Sequence, residues 1–227
     1  MFNNTFFSKV KIPPNELLNV IYFWLQGASW TFIKNVCGHF SQFVTNILTD
    51  LNDLAALNVN EEKLKIGGPN IIVEIDESKL AKRKYNRGHH VEGVWIVGGV
   101  EKTPERNIFV VEVSNRNAQT LQEIIEEYVV PGSIIRTDCW RGYNFLDNNN
   151  NYIHETVNHS LHFKDPITNV HTNTIEGTWS EIKNKIPARN RTTNNIGNHI
   201  LGFIWRRQNQ NNLWNALIQA LTDYYCE

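Results

Sequence analysis

Cysteine is scarce in this chain. Cys37, Cys139 and Cys226 are spread over 227 residues, and no two form a C-x-x-C pair. That spacing argues against a disulfide framework and against a cysteine-type zinc site, and a reducing compartment is expected. Long apolar runs are missing too. No stretch of about 18 apolar residues occurs, so no membrane-spanning helix is expected. The opening residues, MFNNTFFSKVKIPP, lack the apolar segment of a secretory leader, and the expectation is a protein that is not secreted. Net charge is also low, at −1. There is no overall basic signature for nucleic acid, so any such surface must be local. His154, His159 and His162, in HETVNHSLH, miss the H-E-x-x-H spacing and argue against a zinc site.

Enough apolar residues are present (41%, against 20% charged) to bury a sizeable core, which excludes global disorder. The run Asn148 to Asn151 reads as a solvated loop. Residues 13 to about 57 read as three short helices, with Asn15, Ser29 and Ser41 as N-caps and Gly27 as a stop. Such a trio suits a helix-turn-helix-like DNA-binding module over residues 1–67, or a plain helical bundle. Gly67-Gly68-Pro69 marks the boundary.

Beyond it the pattern turns to strands. NIIVEIDES (70–78), GVWIVGGVE (93–101) and NIFVVEVS (107–114) predict an antiparallel meander. TLQEIIEEYV (120–129) predicts a helix, GSIIRTDCW (132–140) a strand, and YIHETVNH (152–159) another. NTIEGTWSEIKNKI (173–186) predicts a helix stopped by Pro187, and residues 194 to 225 are helical and tryptophan-rich. The order β-β-β-α-β-β-α is that of a ribonuclease H-like mixed sheet with flanking helices, spanning residues 68–192. Residues 193–227 are expected to pack on that core as C-terminal helices.

Three acids punctuate this order. Asp76 stands at the end of the first strand, Asp138 at the end of the fourth, and Glu176 in the later helix. In such a sheet the first and fourth strands are parallel neighbours, so their ends would bring the two aspartates together. Three carboxylates at about 4 Å would repel by roughly 4 kcal/mol per pair at an effective dielectric near 20. A cluster of that kind is stable only when protonated or bound to a cation. Hard oxygen ligands suit magnesium or manganese, and two such ions can serve phosphodiester chemistry. Taken singly, each acid also reads as an ordinary solvated charge.

In the later helix, Ile175, Trp179, Ile182 and Ile186 form one apolar stripe, and Glu176, Ser180 and Lys183 form the stripe beside it. Docking the first fixes the second at the rim of the sheet. Two basic islands break the neutral average. One is the hairpin segment after the first strand, with Lys79, Lys82, Arg83, Lys84 and Arg87. The other runs from Ile182 to Thr222 without an acid and holds Lys183, Lys185, Arg189, Arg191, Arg206 and Arg207. Basic residues flanking clustered acids fit binding to a phosphate backbone.

The blocks VEIDESKLAKRKYNRGHHVEGVWIVGGVEK, RTDCWRGY and HTNTIEGTWSEIKNKIPARNRT carry a resemblance to the DDE transposases. More narrowly, they look like the Merlin transposases of eukaryotes and their bacterial insertion-sequence relatives. In those families about 35 residues separate the second and third acids, and a basic residue follows the third acid by seven. Here 37 residues lie between Asp138 and Glu176, and Lys183 follows at the seventh position. The resemblance implies that Asp76, Asp138 and Glu176 are catalytic and bind two magnesium or manganese ions. It implies that Lys183 holds the transposon end, and that the chain works as a homo-oligomer on double-stranded DNA. The nucleus of a eukaryote, or the cytoplasm and nucleoid of a bacterium, is the expected location. The cysteine-rich zinc ribbon that opens many bacterial relatives is not visible in these residues. Two alternatives stay open: a domesticated DNA-binding protein without catalysis, and a nuclease of the same fold without strand transfer.

Overall fold

A computed structural model describes residues 7–8, 10–80, 93–158, 170–193 and 196–226, apart from the side chains of 189, 225 and 226. In chain order the helices α1 (Pro14–Leu25), α2 (Trp30–Cys37) and α3 (Ser41–Leu57) come first. Strands β1 (Ile72–Leu80), β2 (Val94–Glu101) and β3 (Ile108–Val113) follow, then α4 (Ala118–Tyr128), β4 (Ile134–Asp138) and β5 (Ile153–Val157). Helices α5 (Asn173–Lys185), α6 (Ile196–Gln208) and α7 (Leu213–Cys226) complete the chain. Among the described residues, no helix is long and apolar enough to cross a membrane.

The chain divides into two compact units. One comprises Met1–Val59 with Leu201–Glu227, the other Asn60–Ile200. Among the described residues, the regular elements of the first unit are all helices. Trp24, Ile33, Val44 and Leu51 from α1–α3 share a core with Trp205, Leu217 and Ala220 from the end of the chain. The C-terminal helices were expected on the sheet, whereas these three side chains are buried against α1–α3. Arg206 also differs from its expected place on a basic surface. Its guanidinium lies 4.0 Å from the Trp24 ring centre and donates to the carbonyls of Trp24 and Leu25 at 2.8 and 3.1 Å. It thereby adds donors to the carbonyls at the C-terminus of α1, where Trp24 also accepts the Gly27 N–H at 2.9 Å. Burial lowers its pKa to about 10.

Of the expected caps, Ser29 caps α2, its hydroxyl accepting the Phe32 N–H at 3.2 Å. α1 begins at Pro14, one residue before Asn15, because proline's fixed φ suits the first helical position. α3 begins at Ser41 itself, with Phe40 in the capping position.

The second unit is built on a five-stranded mixed sheet of order β3-β2-β1-β4-β5. The pairs β1–β2 and β2–β3 are antiparallel, and β1–β4 and β4–β5 are parallel. This arrangement is compatible with the ribonuclease H-like order read from the sequence. Alternation along β1 sends Val73 and Ile75 into a core shared with Leu121 and Ile125 of α4. The intervening Glu74 and Asp76 point to the opposite face, where both meet α5. The stripes read on α5 hold: Ile175, Trp179, Ile182 and Ile186 are buried, while Glu176, Ser180 and Lys183 are exposed.

Gly98 of β2 sets how closely α5 docks. A Cβ there would stand 2.6 Å from Cη2 of Trp179 and 2.8 Å from the Phe109 carbonyl oxygen. Gly98→Ala should therefore push Trp179 off the sheet and cost about 1–3 kcal/mol, the usual range for overpacking. Urea denaturation checks this, and a variant as stable as the parent would show that α5 tolerates displacement.

Candidate active site

The parallel register of β1 and β4 brings two of the sequence-selected acids level. Ile72 pairs with Ile134 and Glu74 with Arg136. Two residues beyond the last pair stand Asp76 and Asp138, close enough for the Asp138 charge to add to the raised pKa of Asp76. Asp76 is not at the end of its strand, as the sequence suggested. Pairing with β2 carries β1 on to Leu80, with Asp76 opposite Gly98.

Each of the two carboxylates is held by an N–H. The indole Nε1–H of Trp179 donates to Oδ2 of Asp76 at 2.9 Å. The backbone N–H of Trp140 donates to Oδ1 of Asp138 at 3.0 Å, in a tight turn directly after β4. Trp179 was read only as an apolar anchor; its N–H also orients an acid. The third acid, Glu176, is exposed in the first turn of α5, where Thr172 Oγ1 donates to it at 3.4 Å. Acidic side chains are favoured at a helix N-terminus.

The acids sense each other. Burial pushes the Asp76 pKa up to about 6. The Trp179 and backbone N–H groups oppose that rise, and the negative charges of Asp138 and Glu176 add to it. Glu77 behaves similarly: burial raises it to about 7, with Asp76 and Asp138 contributing, against the Tyr143 hydroxyl that donates to it and against Arg116. The donors are hard oxygens of the kind that hold magnesium or manganese. Among the described residues, however, no three His, Cys, Asp or Glu side chains converge as a ready cation site.

These pKa values fix a pH dependence. In the metal-free protein, the native state binds protons more tightly than the unfolded chain at both Asp76 (about 6, against 3.8) and Glu77 (about 7, against 4.5). Their contribution is thus fully present below pH about 4 and is lost as pH rises through 6 to 7. At about 1.4 kcal/mol per pH unit, Asp76 alone accounts for up to about 3 kcal/mol. Asp76→Asn should flatten the curve and raise the melting temperature at pH 8. Melting curves from pH 4 to 8 check this, and an unchanged slope in the variant would remove Asp76 as its source.

Glu74, two residues before Asp76, is the part of the site that the sequence concealed. It is wholly buried. Its carboxylate accepts the backbone N–H groups of Thr174 and Ile175 at 2.7 and 3.1 Å, and the Thr174 hydroxyl at 3.0 Å. Lys102 Nζ and His171 Nδ1 stand 3.5 Å from it. Those two N–H groups belong to the first turn of α5, which has no helical partner for them. Glu74 therefore pins the start of the helix that carries Glu176 and Trp179.

The remaining residues selected from sequence divide three ways. Lys183 and Lys185 are exposed on α5. Arg191 fastens the other end of that helix, donating to the carbonyls of Ile186 (2.9 Å) and Lys183. Lys82, Arg83, Lys84 and Arg87, together with the Arg189 side chain, lie outside the described residues. Beside Asp138, a cleft is lined by Trp140, Asn144, Asp147, His154 and Thr156. In it, His154 bridges Asp147 (2.7 Å) and the Thr137 hydroxyl (2.9 Å), which ties β5 to β4.

Fold and site together define an α/β protein whose mixed sheet and α5 carry Asp76, Asp138 and Glu176 on β1, β4 and α5. The chain belongs to the ISXO2-like transposase family, whose domain matches residues 66–200. It is also 35% identical over 83 residues to a transposase-like protein of Haemophilus influenzae. That match covers 37% of this chain and 65% of the relative, just under two thirds of the latter's length.

Proposed function

We propose that the chain is a DNA transposase that cleaves a strand at each transposon end and joins the freed 3′-hydroxyl to target DNA. The observation that most supports this is the parallel β1–β4 pairing, beyond which Asp76 and Asp138 follow on neighbouring strands, with Asp138 and Glu176 both acting on the Asp76 charge. Magnesium or manganese, in two sites by the family resemblance, would supply Lewis acidity to the attacking hydroxyl and the leaving oxygen. Asp76, Asp138 and Glu176 would be its ligands, and the raised pKa of Asp76 is what negative neighbours and burial produce in their apo form.

The other groups have supporting roles. Trp179 and the Trp140 backbone help keep Asp76 and Asp138 turned to their places by donating an N–H to each. Lys183 and Lys185 contact phosphates, as do Lys82, Arg83, Lys84, Arg87, Arg189 and Arg191 in the same reading. No covalent intermediate on the protein is required. Helices α2 and α3 serve as a helix-turn-helix that recognises the ends. Support comes from the exposed amides of Gln42 and Asn46 near the start of α3, since amides pair with adenine edges in the major groove. The protein acts as a homo-oligomer on duplex DNA, in the nucleus of a eukaryotic host or the nucleoid of a bacterial one. Merlin-type transposases are its expected eukaryotic counterparts.

Strand transfer separates this reading from its rivals. With magnesium, the protein should join a pre-cut end bearing a 3′-hydroxyl to plasmid DNA, and a 3′-dideoxy end should not react. Cleavage without joining would indicate a nuclease. Binding without either reaction would indicate a domesticated DNA-binding protein.

A further inference from the structure

We propose that Arg116 is a phosphate-binding residue of this site, a guanidinium set in place by Trp95 and Trp140 to take one backbone phosphate of the bound DNA strand. The proposal rests on the reading above that the site acts on DNA.

Arg116 follows β3 and immediately precedes Asn117, the N-cap of α4. Its guanidinium carbon lies 3.5 Å from the Trp95 ring centre and 5.2 Å from that of Trp140. Stacking on aromatic faces fixes the plane of a guanidinium without using its N–H groups. Its carboxylate neighbour is Glu77, reached by Nη1 alone at 3.5 Å. A closed arginine–carboxylate fork would instead make two bonds near 2.7–2.9 Å. The other Glu77 oxygen accepts the Tyr143 hydroxyl. Arg116 therefore keeps most of its five donors out of the ion pair, and its side chain is 33% exposed. A planar fork with donors to spare is the group that matches phosphate oxygens.

Location ties the guanidinium to the acids. Trp140, one wall of its slot, donates its backbone N–H to the Asp138 carboxylate. Trp95, the other wall, pairs with Lys79 across β1–β2, and Lys79 Nζ stands 5.6 Å from the same ring. Gly142 and Tyr143 hold Trp140 in turn: a Cβ on Gly142 would meet its ring at 2.4 Å, and the Tyr143 ring packs edge-on at 6.0 Å. The guanidinium thus lies on the face of the sheet that Glu77 takes, next to the turn that follows Asp138, and is a second cation distinct from Lys183 on α5. A polyanionic strand crossing acidic groups needs such cations close to its flanking phosphates.

The test is duplex binding by fluorescence anisotropy over a salt series, with the full chain, for the parent, Arg116→Gln, Arg116→Lys and Glu77→Gln. Loss of one phosphate contact should reduce the slope of log K against log salt by about 0.9. Arg116→Gln should show that loss and bind roughly tenfold more weakly at low salt, for all sequences alike. Arg116→Lys should recover the slope, since the charge returns, and only part of the affinity. Glu77→Gln should keep the parental slope. If Arg116 only paired with Glu77, both glutamine variants would melt lower by similar amounts and both would bind DNA with the parental slope; that result overturns the proposal. A parent that binds no DNA would overturn the transposase reading as well, so the two failures are distinct.

Discussion

Glu74→Ala should destabilise the protein by about 3–5 kcal/mol, the usual cost of breaking a buried charged network by removing one partner. Three donors lose their acceptor at once: two first-turn amides of α5 and the Thr174 hydroxyl. Lys102, 28% exposed, is left with a positive charge and no carboxylate. Each buried donor left unsatisfied costs about 1–3 kcal/mol on its own. Glu74→Gln keeps an acceptor oxygen and the shape while losing the charge, so it should cost less. The damage should also be local. Hydrogen exchange at the start of α5 should speed up in Glu74→Gln before exchange in β1 does. Urea denaturation gives the magnitude. A change under about 1 kcal/mol in Glu74→Ala would show that α5 is held by its apolar stripe alone.

Most of the sheet unit was legible in the sequence because its signals are local. Alternation in IIVEIDES, WIVGGVE and IFVVEV marks strands, and each of the five strands of the mixed sheet starts within two residues of its expected start. The α5 stripes are equally local, since a period of 3.6 residues decides which side faces the sheet. Asp76, Asp138 and Glu176 stood out through their positions on those elements.

What stayed hidden depends on contacts between distant residues. VEIDE offers Glu74, Asp76 and Glu77 within four positions, and nothing local tells them apart. α5, about a hundred residues further on, makes Glu74 a buried anchor. Trp179 makes Asp76 a polarised acid, and Tyr143 and Arg116 make Glu77 a third kind of group. Alternation does give part of this, since Glu74 and Asp76 must share a face that Glu77 leaves. The helical unit is another case. Its core joins both ends of the chain, so Trp205 and Arg206 read as tail residues although they close on α1. A basic residue in sequence is only a charge; whether it meets solvent or helix carbonyls is settled by packing.

Asp138 offers the most direct test that the acids form a metal-binding catalytic group. Asp138→Asn keeps the size of the side chain and an oxygen to accept the Trp140 N–H, so the fold should survive. The variant removes one of the charges that raise the Asp76 pKa, so it should melt at or above the parental temperature without metal. Magnesium should stabilise the parent by mass action, by about 2.7 kcal/mol at a hundred times its dissociation constant, and stabilise the variant much less. Strand cleavage should be abolished. The measurement is a pair of melting curves for parent and variant, with and without magnesium, beside a cleavage assay on end-containing DNA. A folded Asp138→Asn protein that has lost both the metal response and cleavage is the expected result. A variant that cuts DNA at the parental rate, or a parent indifferent to magnesium and manganese, would contradict the assignment.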